Sequence, residues 1–202
     1  IYKITYVGVD LAGNTGADET INLTYDSTAP TLDTVTIASN NSVNTDKAKE
    51  NDVITLTIVA NETITQPTVS FNIGGTGVTP SVSGSGSNYT ATYTVLSGQN
   101  GTVTFSISSY SDSAGNPGPT VTALTSGSTV SVDNTLPNFS PSQPAFSDMK
   151  INTSTLKYTL SEDLSSGSIT YERTGGTADG SSPHIYTLGQ NGNVTELQSG
   201  GL

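Results

Sequence analysis

The stretch Val53-Ile54-Thr55-Leu56-Thr57-Ile58-Val59-Ala60 sets Ile54, Leu56 and Ile58 on one side of an extended chain and threonines on the other. Successive side chains of a strand point to opposite faces, so this alternation buries one face and wets the other. The same rule runs outward in both directions. Val69, Phe71 and Ile73 obey it, then Tyr89, Ala91, Tyr93 and Val95, then Val103, Phe105 and Ile107. Clusters of Gly, Asn, Ser and Pro separate the runs, as turns separate half-buried antiparallel strands. No segment carries a helical period, and Lys, Arg and Glu together number only 12. The expected fold class is all-β, with strands near 32–38, 53–60, 67–73, 77–83, 88–95, 102–109 and 119–132. Ile54, Leu56, Ile58, Phe71, Tyr93, Phe105 and Ile107 form the expected core.

Composition narrows the partners. The 202 residues carry 6 Lys+Arg against 17 Asp+Glu, a net charge of -11. Six scattered cations cannot build the basic surface that nucleic acid or an anionic membrane requires. No apolar run nears the ~20 residues of a membrane-spanning helix, so no direct membrane insertion is expected in this segment. There is no signal-peptide pattern at Ile1, and the chain opens mid-pattern, as a piece of something longer would. Cysteine is absent, which removes disulfide frameworks, zinc fingers and thiol catalysis together. Ser and Thr supply 62 residues while Leu, Ile, Val and Phe supply 44. Such a thin core needs support from metal ions, another cross-link or chain length.

An internal repeat gives the domain frame. Asp10-Leu11-Ala12-Gly13-Asn14 returns as Asp112-Ser113-Ala114-Gly115-Asn116, and Asp26-Ser27-Thr28-Ala29-Pro30 as Asp133-Asn134-Thr135-Leu136-Pro137. Asn61-Glu62-Thr63-Ile64 returns as Ser161-Glu162-Asp163-Leu164. The three offsets are 102, 107 and 100 positions in one order, which implies tandem domains of about 105 residues, the size of an immunoglobulin-like sandwich. The frame assigns 1–28 to the C-terminal strands of one domain, 29–134 to a complete domain, and 135–202 to the N-terminal part of a further one. In that last part Leu156, Tyr158 and Leu160 match Ile54, Leu56 and Ile58, and the pattern stops or departs after about Tyr186.

Together, D-x-A-G-N, D-x-T-x-P, the Glu-bearing motif, Tyr89-Thr90-Ala91-Thr92-Tyr93-Thr94-Val95 and Val103-Thr104-Phe105-Ser106-Ile107-Ser108 resemble the tandem bacterial and archaeal Ig-like (Big-type) repeats of large surface proteins. The segment 167–179 resembles a variant of them. The resemblance implies immunoglobulin-like β-sandwiches arranged head to tail in an extracellular, cell-surface stalk, adhesin, filament or surface-layer (S-layer) array. Its partners would be neighbouring repeats of the same chain, identical chains or a surface ligand.

Strand counting places the acidic motif residues. If the D-x-T-x-P linker enters at one pole, strands A and B bring Glu62 back to it, and the sixth strand brings the loop of Asp112 and Asn116. Asp26 in the incoming linker then meets Glu62, Asp112 and Asn116. Carboxylates and an amide carbonyl from separate loops suit a hard cation such as calcium; without one, the charges would raise one another's pKa. Asp133 and Glu162 would begin the equivalent site of the next domain, and Asp10 and Asn14 belong to the pole of the preceding one. The same residues are also good turn and linker chemistry, since Asp and Asn cap turns and Pro stiffens the chain. One Asp can do both.

Nothing in the chain assembles a catalytic constellation, and no enzyme is expected. The lone His184 has no nucleophile or orienting partner beside it. Adjacent Glu162 and Asp163 would point to opposite faces, against a glycosidase pair. The loop glycines at 74–77 and 84–86 have neither a phosphate-binding Lys nor a following helix. Lys47 and Lys49 sit in a loop, against an isopeptide cross-link. Eight Asn-x-Ser/Thr sequons occur, at Asn22, Asn40, Asn61, Asn88, Asn100, Asn138, Asn152 and Asn193, little above the number this composition gives by chance; they are acceptors where the cell glycosylates. The expected function is a structural extracellular repeat segment. The alternatives are an adhesin or carbohydrate-binding module, which would expose aromatics together on one sheet face, and an enzyme-accessory module.

Overall fold

A computed structural model describes residues 1–143, 157–177, 180–190 and 194–199. Two compact units form, Ile1–Asn134 and Thr135–Leu202. The described secondary structure is almost entirely β-strand, with a 3₁₀ turn at Val194–Leu197.

The first unit opens with a hairpin, β1 (Tyr2–Tyr6) against β2 (Glu19–Leu23). A β-sandwich follows. One sheet has the order β3 (Leu32–Ser39), β5 (Val53–Ala60), β9 (Asn88–Thr94), β8 (Ser81–Ser85). The other has the order β4 (Lys47–Ala48), β11 (Ser131–Val132), β10 (Gly101–Ser108), β6 (Thr68–Ile73), β7 (Thr76–Val78). Pairing is antiparallel except between β4 and β11. Both sheets feed one core, with Val35, Ile54, Leu56, Ile58 and Ala91 from the first, and Phe71, Val103, Phe105, Ile107 and Val132 from the second. Of the core residues expected from alternation, six are buried; Tyr93 is half-buried and packs against the cluster.

Three strands differ from the sequence expectation. The run at 77–83 is two strands in different sheets, β7 and β8, and the buried Pro80 lies where the chain crosses. Proline cannot donate to a ladder, so it ends one pairing before the next begins. The expected strand 119–132 pairs only as β11 and through a bridge between Val121 and Ile107. Between them the chain is tied to β3 by Thr125, whose N–H donates to the Val35 carbonyl oxygen at 2.9 Å. The two-residue β4 carried no visible alternation. In β10 the phase shifts: Val103, Phe105 and Ile107 face inward, Ser109 takes a φ of 56°, and Tyr110 and Asp112 are then buried. One left-handed residue re-aims the side chains that follow it.

In the second unit, β12 (Phe139–Gln143) pairs with β13 (Lys157–Leu160), and β14 (Ser168–Tyr171) with β15 (His184–Thr187). Tyr158, Leu160 and Leu188 make its small core. Buried Glu196 is held there by donors, the Tyr186 hydroxyl at 2.8 Å and the Gly189 N–H at 2.9 Å.

Candidate functional site

The two D-x-A-G-N motifs fold into the same turn. The Asp10 Oδ1 accepts the N–H groups of Ala12 (2.9 Å) and Asn14 (2.8 Å), and its Oδ2 accepts Asn14 Nδ2 (2.8 Å). Asp112 repeats the pattern with Ala114 (2.9 Å), Asn116 (2.8 Å) and Asn116 Nδ2 (2.7 Å). Gly13 and Gly115 supply φ of 87° and 93°, values that a side chain disfavours. These donors hold both Asp10 and Asp112 below the usual carboxylate range, the bond from the Asn side chain contributing most. Turn capping is thus the first role of this motif.

The turn around Asp112 also belongs to a convergence of loops. A bridge joins Ile64 to Asp112, and the Thr65 N–H donates to the Ser111 carbonyl oxygen at 2.8 Å, so the end of β5 is pinned to the loop after β10. Thr31 and Asn61 tie that same end to the incoming linker: the Thr31 N–H donates to Asn61 Oδ1 at 2.8 Å, and the Asn61 N–H to the Thr31 carbonyl oxygen at 3.0 Å. Asn116 Nδ2 reaches the Asp26 carbonyl oxygen at 3.2 Å. The result places one carboxylate oxygen each of Asp26, Glu62 and Asp112 within 4.8 Å of one another.

This set is graded in exposure: Asp26 is exposed, Glu62 half-buried and Asp112 buried. Burial, then the charges of Asp112 and Asp26, push Glu62 above the ordinary carboxylate range. All three offer hard oxygen donors. Two oxygens bound to one Ca²⁺ at about 2.3–2.6 Å lie at most about 4.6–5.2 Å apart, so the observed span fits one such ion. Asn116, the fourth residue expected at this pole, donates from Nδ2 to Asp112 Oδ2 and to the Asp26 carbonyl oxygen, which links these two members.

Of the other acids considered from sequence, Asp133 follows β11 and its N–H donates to the Ala48 carbonyl oxygen at 2.8 Å. Glu162 lies in the second unit, half-buried, with Oε1 buried and without a hydrogen-bond partner among the described residues. Its neighbour Asp163 is turned to Ser199, whose N–H and hydroxyl donate to Oδ1 at 2.6 and 2.8 Å. The two do not form a carboxylate pair. His184 sits exposed on β15 opposite Tyr171. Lys47 and Lys49 are exposed. Sequons Asn152 and Asn193 lie outside the described residues; the other six are exposed.

Sequence reasoning missed Asn61 and Asn134 as organisers. Asn is common in this chain, and nothing in its spacing marks these two. A sequence signal existed only for Asn61, which opens the repeated Glu-bearing motif and whose counterpart Ser161 makes the equivalent bond, its Oγ accepting the Asn138 N–H at 2.9 Å. The chain matches no known protein-family profile, no curated protein and no solved structure.

Proposed function

We propose that this chain is a structural segment of a larger extracellular surface protein: immunoglobulin-like sandwiches of the Big type, arranged head to tail in a stalk, filament or surface-layer component, with calcium bridging Asp26, Glu62 and Asp112. Its role is mechanical rather than catalytic, and its partners are neighbouring repeats, identical chains or a surface ligand. The sheet orders β3-β5-β9-β8 and β4-β11-β10-β6-β7 support the immunoglobulin-like reading, since they correspond to the ABED and GFC arrangements with a short extra strand on each side of the second sheet. The matched turns at Asp10 and Asp112 support the repeat frame.

The observation that carries the reading is the meeting of three acids from three separate segments, one of them the incoming linker, within 4.8 Å. A cation there would tie that linker to the sandwich and offset part of the net charge of -11. A ligand bound only by the folded state raises stability by about 2.7 kcal/mol at a hundredfold excess over Kd. Thermal unfolding with millimolar calcium and with chelator, in low salt, should therefore separate, and Glu62→Gln should close the gap. Equal midpoints for the unaltered chain would reduce these acids to turn and surface residues. Antibody against the chain should label intact source cells; labelling only after permeabilisation would refute the surface assignment.

A further inference from the structure

We propose that Asn134 is a carboxamide lock that fixes where the chain leaves the sandwich. It follows β11 and Asp133, and its side chain joins two loops. Nδ2 donates to the carbonyl oxygens of Leu96 (3.1 Å) and Gln99 (2.7 Å), while Oδ1 accepts the Glu50 N–H (2.5 Å). Its own N–H donates to Asn100 Oδ1 at 2.7 Å. The loop after β9, the turn after β4 and the end of β11 are thereby held by one residue.

The chemistry is selective. The site presents two acceptors and one donor to a short side chain, and only a carboxamide answers with two donors and one acceptor. A hydroxyl supplies one donor. A carboxylate supplies none and would face two carbonyl oxygens. Gln99 is itself fixed, its Oε1 accepting the Leu96 N–H at 2.8 Å and its Nε2 donating to the Tyr93 hydroxyl at 2.9 Å, so the acceptors do not drift away. The end of the first unit is therefore fixed at Asn134 from two loops. The lock stands on the geometry of the first unit alone and is independent of calcium.

The test uses the full chain with Asn134→Ala and Asn134→Asp, following the first unit through amide resonances of β5 and β10. The Ala variant should lower the thermal midpoint by roughly 3–8 °C. The Asp variant should lose more at pH 7. A carboxylate facing two carbonyl oxygens has a folded pKa above its unfolded value, so its deficit against the unaltered chain grows as pH rises through that pKa and narrows below about pH 4 to that of a neutral side chain one donor short. The charged groups around it are Lys47, Lys49, Glu50 and Asp52 from the β4–β5 segment and Asp133 beside it; residues 96–100 carry none. Their own titration is common to both proteins; only their interaction with the new carboxylate enters the difference, the three acids adding to its raised pKa and the two lysines opposing it. A deficit that ignores pH, or an unprotected Glu50 amide in the unaltered chain, would overturn the lock.

Discussion

Burial together with the charges of Asp112 and Asp26 keeps Glu62 toward its neutral form, while Asn116 keeps Asp112 ionised. The two acids therefore act oppositely on stability. Glu62, with its pKa raised on folding, favours the folded state at low pH, and that contribution disappears as pH rises through the folded value. Asp112, with its pKa lowered, contributes above its unfolded pKa and loses that contribution as pH falls. In chelator at pH 7, Glu62→Gln should raise the thermal midpoint, and the advantage should shrink near pH 4. Asp112→Asn should lower it at pH 7. If Glu62→Gln is destabilising in chelator, the crowding of charge at this pole is not felt. In the core, Phe105 lies opposite Phe71 across β10 and β6; Phe105→Ala should cost about 3–5 kcal/mol, which a urea titration would read as a lower midpoint at similar slope.

Alternation places β5, β6, β9 and β10 within a residue or two because each has one face in the core, and burial enforces phase. It fails where backbone geometry rather than side-chain pattern decides. The shift at Ser109 is of that kind: Ser106, Ser108 and Ser109 offer no apolar contrast, so no residue announces the turn of phase. Tyr110 then lies inward, its hydroxyl donating to the Pro119 carbonyl oxygen at 2.8 Å, and its ring fills the space beside Gly118. A Cβ at 118 would come within 2.0 Å of that ring. Gly118→Ala should destabilise by several times the cost of an ordinary surface change, roughly 2 kcal/mol or more, because the ring is enclosed and cannot retreat. Ser109→Gly, relieving a left-handed serine, should be neutral to stabilising by up to about 1 kcal/mol. A clear loss at Ser109→Gly would mean that its side chain, rather than its backbone, sets the phase.

At the scale of the whole chain, the recurring D-x-A-G-N turn was legible because turn chemistry is local. Asp, Gly and Asn at fixed offsets dictate the same bonds wherever they occur, and the loops at Asp10 and Asp112 carry the same bonds. What the repeat could not disclose is how much each segment buries. The buried cluster of the first unit runs from Val35 to Val132 with Leu32 packed against it, whereas β1–β2 contributes nothing to it. Tyr2, Ile4, Tyr6, Ile21 and Leu23 alternate as a strand core would, yet are between 38% and 65% exposed. A two-stranded hairpin is marginal alone. Residues 29–134 expressed by themselves should therefore keep the sandwich and most of its stability. In the full chain the β1–β2 amides should exchange orders of magnitude faster than those of β5 and β10. The shortened chain lacks Asp26, so its midpoint should respond less to calcium than that of the full chain, although Glu62 and Asp112 remain. A shortened chain that fails to fold would show that the hairpin supports the sandwich; one that folds and responds to calcium undiminished would remove Asp26 from the site.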